Sequence, residues 1–599
     1  MVRRSVHTLV TTMPFVVLAG FWISCGMLEE SSGKGRTQVD EGSETLNRGS
    51  SGRAGAGRNA LTRSQNAAAL AAATDVPCDV VVAGGTTAAL FAALTSAREG
   101  VQTCLLEPTN WPGGQLTASA VSAVDFAWHK IGDFDVAKLG KDPRNIPTEF
   151  QKWMVALGNP GGCWVSRNCF EPKALLINSI QPTLAKQANL RVFLDTVVKS
   201  VQTQGAQGNK VISELVAIQR RPVAAGNQGY DRFLSDDLSD WYSPLDTDRF
   251  GKKVMRFVPS SPSKPMVVID ATEWGEVLAL SGADYLIGAE RKDGTLDSQE
   301  QCGQATVFPF VIDMVSGPGI GSLASASTVA GDVPMANPSF YGLGTHGWEK
   351  IWTYRRVKGS GVPAPGQASL QNWNPGNDYP FRYLFKDKNA TAAEVGDWQG
   401  GLDMAALKGA EQHALGWYQF YRDNAPAAYK GLLRMNRTML GTSHGLSKVP
   451  YIRDTRRSIG WDGFLIQEKD ISGTGREGTK FADRIGLGAY AVDIHPMAPS
   501  FGCVYPAHGE KTLPFYLPLR AHTNRSVSNL LVSGKTMAQT FLANAAIRLH
   551  PIEASSGIGA GAAASVMIKN DVASTRQLLD QVSRVQSIVR RYGPMDWSF

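Results

Sequence analysis

An α/β fold built around a parallel sheet, with an α+β region inserted into it, is the architecture this sequence predicts. Three observations carry the prediction. A strand, glycine turn, small-residue helix and second strand follow one another between Asp79 and Glu107. Further short apolar strands recur at Val267–Asp270 and Asn529–Val532. The long stretch between those recurrences is aromatic-rich and irregular. At 599 residues the chain exceeds the size at which a single core stops growing, so two packed regions around a shared site are expected.

The chain opens Met1-Val2-Arg3-Arg4, followed by an apolar run from Leu9 to Ile23 and then Ser24-Cys25-Gly26. A basic start, a short apolar run and small residues are the layout of an export signal. The run is interrupted by Pro14 and falls short of the roughly 20 residues a membrane-spanning helix needs. Cys25 stands where a lipoprotein signal carries its acylated cysteine, although Trp22 occupies a position that is usually Leu; an ordinary cleaved signal is the alternative. The expectation is an exported protein, periplasmic or at the cell surface, with residues 1–25 as signal or lipid anchor and Cys25 as the point of membrane attachment. Residues 26–74, rich in Ser, Gly, Arg and Ala, are expected to form a flexible tether.

Six of the seven cysteines remain if Cys25 is lipidated or removed. Cys163 and Cys169 flank a Pro/Gly-containing loop and can close a short disulfide, whereas Cys78 and Cys104, in apolar strand segments, are expected to be buried thiols.

The informative unit begins with the uninterrupted apolar strand Val80–Ala83, turns at Gly84-Gly85, and continues as an Ala-rich helix from Thr86, Thr87, Ala88 and Ala89. A second buried strand then ends at Glu107. Glycines permit the tight turn, the free amides at the helix start can bind a pyrophosphate, and an acid 23 positions after Gly84 can accept hydrogen bonds from a ribose. Thr86 occupies the usual second-glycine position; an ordinary strand-turn-helix packed in a sheet shares the pattern. Gly113-Gly114-Gln115 supplies a second glycine turn, and Thr196-Val197-Val198, Ala271-Thr272 and Gly275 lie at or beyond later apolar strands. Near the end come Gly534-Lys535, Arg548-Leu549-His550-Pro551 and Gly557-Ile558-Gly559-Ala560-Gly561-Ala562.

On these residues the chain resembles the FAD-dependent oxidoreductase family, in the variant whose first motif is a glycine pair followed by Thr. Pro450-Tyr451-Ile452-Arg453-Asp454-Thr455-Arg456-Arg457 and Tyr490-Ala491-Val492-Asp493-Ile494-His495 resemble two further family elements, with Asp454 where Glu is commoner and Lys535 where Arg is usual. The resemblance implies a Rossmann-like, glutathione-reductase-like FAD-binding domain made of residues 75–290 and 483–599, with residues 291–482 as the inserted substrate domain. It implies FAD as cofactor, held by Gly84, Gly85, Thr86, Thr87, Ala88, Glu107, Gly113, Gly114, Gln115, Val198, Ala271, Thr272, Gly275, Gly534, Gly557, Gly561 and Ala562. It also implies that the C-terminal glycines open a helix aimed at the flavin ring, where a helix N-terminus stabilises the charge of the reduced ring.

The candidates for proton handling and substrate binding are His550, Arg548 and His495: a histidine can take a proton near neutrality, and Arg548 can hold an anionic group. Arg453, Arg456 and Arg457 form either a ligand clamp or an ion-paired face, and His129 beside Asp125 is a weaker candidate. The aromatics Phe308, Phe310, Tyr341, Trp348, Trp352, Trp373 and Tyr379 can line a carbohydrate cleft or serve as core. Gly317-Pro318-Gly319-Ile320-Gly321 mimics a nucleotide loop but lacks the flanking strand and helix, and reads as a turn.

No second nucleotide fingerprint supports a nicotinamide partner, so oxygen, a quinone or a small carrier is the expected electron acceptor. The net charge of +7 is scattered rather than striped, which argues against nucleic acid. No Cys or His pairs show metal-ligand spacing, and no Gly-x-Ser-x-Gly segment set in a strand-to-helix elbow argues for a hydrolase. The expected function is oxidation of a small organic or carbohydrate-like substrate outside the cytoplasm, by hydride transfer to flavin. The alternatives are a flavin-fold polysaccharide-modifying or lyase-type protein and a non-catalytic surface binding protein.

Overall fold

The computed structural model describes residues 64–206, 208–224, 229–290, 299–317, 339–509 and 511–599. The expected signal, Cys25, most of the tether and Pro318–Gly321 lie outside the described residues. The tether ends earlier than expected. Residues 64–71 are helical, as the run Ala67-Ala68-Ala69-Leu70-Ala71 favours, and strand β1 begins at Thr74 (Thr74–Pro77).

The centre of the fold is a five-stranded parallel sheet. Strand β2 (Val80–Ala83) runs into helix α1 (Thr87–Arg98) and β3 (Thr103–Leu106), and β3 pairs with β4 (Leu190–Phe193). A three-stranded excursion follows in β5 (Thr196–Gln204), β6 (Val211–Pro222) and β7 (Phe250–Val258), whose outer strand β7 pairs in parallel with β1. The chain returns to the central sheet as β8 (Val267–Asp270). Strands β2, β3 and β8 are fully buried, and apolar apart from Thr103 and Asp270, the pattern of a sheet covered on both faces.

Residues 291–482 contain an antiparallel sheet in the order β10-β11-β9-β12, formed by β9 (Phe310–Met314), β10 (Arg356–Lys358), β11 (Ala368–Gln371) and β12 (Leu433–Met435). Helix α2 (Met404–Asp423) lies between β11 and β12 in the chain. Phe308, Phe310, Trp348 and Trp352 are buried core, with Trp348 stacked on Trp352 at 5.6 Å and on Tyr421 at 4.8 Å. These aromatics build the second region rather than lining a cleft.

The chain then forms an antiparallel pair, β13 (Arg484–Gly488) with β14 (Phe515–Pro518), and completes the central sheet with β15 (Leu530–Val532) beside β8. The sheet order is β15-β8-β2-β3-β4. Two helices close the fold, α3 (Phe541–Ile547) and α4 (His550–Lys569), and α4 packs along α1. Residues 79 and 530, far apart in sequence, thus meet in one sheet, as the α/β expectation requires.

Three disulfides are present among the described residues. Cys163–Cys169 closes its short loop. Cys78 and Cys104 are not free thiols: neighbouring ends of β2 and β3 bring their Cα atoms to 6.2 Å and they form a bridge. Cys302–Cys503, invisible from local spacing, joins residues 201 apart.

Candidate functional site

The first glycine turn is held by its neighbours in a way its sequence only half discloses. Gly84 has φ +104°, and a Cβ there would lie 2.3 Å from the Ala271 carbonyl oxygen at the end of β8. Gly84 therefore allows two strand ends to approach, and a larger side chain would collide with protein backbone rather than first with a pyrophosphate. Gly85 faces the acid: a Cβ there would lie 1.5 Å from Glu107 Oε2. Thr86, in place of a glycine, caps α1. Its hydroxyl oxygen accepts from the Ala89 amide at 3.0 Å and its proton is donated to Ala271 O at 2.8 Å. The Thr87 hydroxyl donates to Gly113 O at 3.0 Å, and the Gly113 amide donates to Gly85 O at 2.9 Å, so the two glycine turns are stitched together. Gly114 sits so close that a Cβ would lie 2.6 Å from Thr86 Cα and 3.2 Å from Glu273 Oε1.

Glu107 is fully buried. Burial pushes its pKa up to about 8 against the hydrogen bonds that Oε1 accepts from the Thr109 amide (2.8 Å) and hydroxyl (2.7 Å). Its Oε2 has no hydrogen-bond partner among the described residues, and neither do Gln115 Oε1, Ser119 Oγ, Ser122 Oγ and Glu273 Oε1, all buried. Gly85, Glu107, Gly114, Thr272 and Glu273 line one cavity. A row of buried, unsatisfied polar atoms beside two glycines, where a Cβ would meet the Glu107 carboxyl group and the Thr86 backbone, fits an extended, hydroxyl- and amide-bearing ligand. FAD fits: Glu107 would hold the ribose, the amides at the head of α1 and at Gly114 the pyrophosphate, and Gln115, Ser119 and Ser122 the region toward the ring.

Thr272 caps the short helix that starts at Glu276, donating its own hydroxyl to Asp270 Oδ1 at 2.7 Å and accepting from the Glu276 amide at 2.9 Å. Val198 is buried in β5, two residues past Thr196, whose amide donates to Glu107 O at 2.8 Å. Gly275, in the left-handed region at φ +61°, is packed against Arg456, where a Cβ would lie 2.6 Å from the Arg456 Cβ. Gly534, also left-handed, lets its amide donate to Ser556 Oγ at 2.8 Å. Lys535, buried, pairs with Glu273 and lies 3.6 Å from Glu553 in the first turn of α4. Burial alone would lower its pKa, but the two carboxylates outweigh it and hold the ammonium charged.

The C-terminal glycines do something other than expected. Helix α4 opens at His550, not at Gly557. A Cβ at Gly557 would lie 2.3 Å from Ala88 O, and at Gly561 2.4 Å from Ala92 O, so both glycines, with Ala562 buried beside them, let α4 rest on the backbone of α1. They support the glycine turn from behind instead of facing a ligand. The ligand side and α4 are connected elsewhere: Gln115 Nε2 donates to Arg548 O at 3.2 Å, one turn before the helix.

His550 is also a structural residue. It is fully buried, with Nε2 at 2.8 Å from Val121 O and Nδ1 at 3.2 Å from the Asp125 amide, which assigns the neutral tautomer that donates from Nε2 and accepts at Nδ1. Burial lowers its pKa to about 4. Both nitrogens are committed to backbone, so it cannot take a substrate proton.

Arg548 and His495 lie in one charged network. Arg548 donates to the Tyr451 hydroxyl at 2.6 Å and to Asp493 at 3.0 Å (O) and 3.1 Å (Oδ2). Asp493 Oδ2 is 3.4 Å from His495 Nε2, and His495 Nδ1 contacts Asp378 Oδ2, whose other oxygen accepts from Arg453 at 2.8 Å. Burial and Arg453 lower the His495 pKa, yet Asp378 and Asp493 outweigh them and the net shift is upward. Asp378 was missed by sequence reasoning: it opens the two-residue strand Asp378–Tyr379, which pairs with Thr306–Val307, and no motif surrounds it. Arg355, 3.4 Å from Asp125, was missed for the same reason.

The three motif arginines do not form a clamp. Arg453 turns to Asp378 and Ala305 O (2.7 Å); Arg456 to Trp274 O (2.6 Å) and Gly401 O (2.9 Å); Arg457 to Asp454, Gly288 O (2.7 Å) and Gln539 O (3.2 Å). All three are buried and tie the segment to different parts of the fold. His129 is bonded through Nε2 to Thr512 O at 2.8 Å. Among the described residues no cluster of three metal-binding side chains occurs, and no helix is long and apolar enough to cross a membrane.

Among solved structures, the chain is similar to a geranylgeranyl bacteriochlorophyll reductase-like protein from Thermoplasma acidophilum (10% identity, 87% of this chain and 85% of that one, TM-score 0.31). It is also similar to the p-nitrophenol 4-monooxygenase PnpA from Pseudomonas putida DLL-E4 (11%, 87% and 87%, 0.29) and to the quinol fumarate reductase subunit FrdA of E. coli (12%, 86% and 74%, 0.27). At these identities and TM-scores the likenesses carry no inference about this chain's chemistry. No curated protein sequence matches the chain. The profile of the FAD dependent oxidoreductase family matches residues 79–226 and 263–589. With a parallel-sheet cradle whose buried unsatisfied groups suit FAD, and a family match over most of its length, the chain belongs to the FAD dependent oxidoreductase family and is an FAD-dependent oxidoreductase.

Proposed function

We propose that the protein oxidises a small organic or carbohydrate-like substrate outside the cytoplasm, with His495 as the acceptor of the substrate's hydroxyl or amine proton. The observation that carries this reading is the contact of His495 Nδ1 with the buried carboxylate Asp378, which leaves Nε2 as the nitrogen that exchanges a proton. Bound FAD supplies the acceptor for the hydride that leaves the substrate carbon. Arg548 and Tyr451 bind the substrate's polar atoms next to this histidine, and Asp493 stabilises the imidazolium once it has formed.

Because the flanking carboxylates raise its pKa above the ordinary imidazole value, His495 becomes the base as pH rises. The raised value makes it a stronger base once neutral. The exposed Trp128, edge-on to Tyr490 at 6.5 Å, offers a flat apolar face for a sugar ring. Three disulfides support an oxidising compartment, in keeping with the signal-like N-terminus. Oxygen, a quinone or a small carrier would take the electrons onward.

A screen of sugars, alcohols and amines against the flavin absorbance of the purified protein tests this. The expected result is bleaching by a responding substrate, at a rate that rises with pH with a midpoint above 6.5. His495→Gln should lose that rise while keeping its flavin. A variant with an unchanged pH profile would remove His495 from the role.

A further inference from the structure

We infer that the Cys302–Cys503 disulfide is a positioning device for His495, setting its charge by holding it between its two carboxylates. The inference rests on the role given to His495 above. Residues 489–509 carry His495 and contain no regular structure beyond the short turn Pro499–Phe501, so no helix or strand within the segment fixes the backbone that carries the imidazole. What fixes it is a strip of chain from Gln299 to Ala305. The Ala305 amide donates to His495 O at 2.8 Å, and the His495 amide donates to Gln304 Oε1 at 3.1 Å. Gln304 pairs with Pro496 in an isolated antiparallel bridge.

Farther along, the Tyr505 hydroxyl donates to Gly303 O at 2.8 Å and accepts from the Met497 amide at 2.8 Å. The two strips are thus matched at the histidine and along its C-terminal side, and the only covalent tie in that ladder is Cys302–Cys503. The same strip reaches the other flank of the site, since Arg453, the partner of Asp378, donates to Ala305 O at 2.7 Å. A shift of the Gln299–Ala305 strip would therefore move His495 and Arg453 relative to Asp378 together. Backbone hydrogen bonds in a loop are individually weak and exchange readily with water, so the covalent tie carries the alignment. Cys503 is partly exposed, which leaves the bridge within reach of a reductant.

Two electrons and two protons from an added dithiol, which is itself oxidised to a disulfide, open the bridge to two thiols, and a disulfide reagent that is reduced in turn closes it. The test follows the His495 imidazole resonance by NMR in the FAD-loaded protein, assigned through the His495→Gln variant. In the oxidised protein its titration midpoint is expected above 6.5. In a Cys302→Ser/Cys503→Ser double variant, and in wild-type protein reduced and still folded, the midpoint should fall toward 6.5. Flavin content should stay unchanged, and reoxidation should restore the wild-type value. Cys163→Ser/Cys169→Ser, which removes a bridge outside this ladder, should leave the midpoint unmoved.

A midpoint indifferent to opening Cys302–Cys503 overturns the inference. So does loss of flavin or of the near-ultraviolet dichroism on opening, because the bridge would then be a general staple of the fold. If the midpoint moves as expected but the His495→Gln variant keeps its pH-rate profile, the proton-acceptor reading fails and the positioning inference stands.

Discussion

The two glycine-rich segments of this protein look alike in sequence and are used in opposite ways. At Gly85 and Gly114 the missing side chains leave room beside Glu107 and Glu273, in a cavity where Glu107 Oε2 and Glu273 Oε1 have no partner among the described residues. At Gly557 and Gly561 they let one helix lie on the carbonyl oxygens of another. The first segment is shaped for a ligand, the second for packing, and the second makes the first possible because α4 presses α1, and with it the turn, into place. A glycine shows that something must come close, not what comes.

The largest effect that separates these uses is expected at Gly557. A Cβ there meets backbone at 2.3 Å and cannot be relieved by a rotamer change, so Gly557→Ala should cost about 3 kcal/mol or more and lower the thermal midpoint or the yield of folded protein. If the variant is as stable as wild type and fails only to retain flavin, the segment faces the ligand after all and the contrast collapses.

His550, at the head of the same helix, sharpens the comparison. Its pKa is lowered to about 4 from 6.5, so its contribution is present above pH 6.5 and is lost as pH falls through about 4. The loss amounts to about 3 kcal/mol across that window. Replacing it in His550→Asn should flatten acid unfolding in that range, measured by denaturant titration at several pH values. Dependence of turnover, rather than stability, on the His550 titration would return it to the reacting centre.

The smallest effect belongs to the ligand side. In Gly85→Ala the new Cβ meets the end of a movable side chain, 1.5 Å from Glu107 Oε2, so the carboxylate swings away and the fold holds. One charged hydrogen bond to the cofactor should be lost, weakening FAD binding roughly 10- to 100-fold in a fluorescence titration with an unchanged thermal midpoint of the flavin-free protein. Undiminished affinity would show that Glu107 does not hold the ribose.

Local pattern was sufficient for the strand-turn-helix-strand unit, for Glu107, and for the return of the chain to the same sheet near Leu530, because continuous apolar strands and tight turns are written in consecutive residues. Arg548 and His495 could be named but not given partners. Asp378 lay in a two-residue strand outside any motif, and the pairing of Cys78 with Cys104 followed from two chain segments standing side by side, which no spacing rule reports. The motif arginines were legible as important, yet their three separate destinations depended on where Trp274, Asp378 and Gln539 come to lie.

From its residues alone the chain settles its α/β class, its cofactor-binding turn and its membership of a flavin-dependent family, since each depends on short-range periodicity and on glycine's freedom from a side chain. Only the tertiary structure decides which histidine sits between carboxylates that raise its pKa, which is locked to backbone partners, and which glycines touch protein. Burial and the distance to a carboxylate set those outcomes, and both arise from residues hundreds of positions apart.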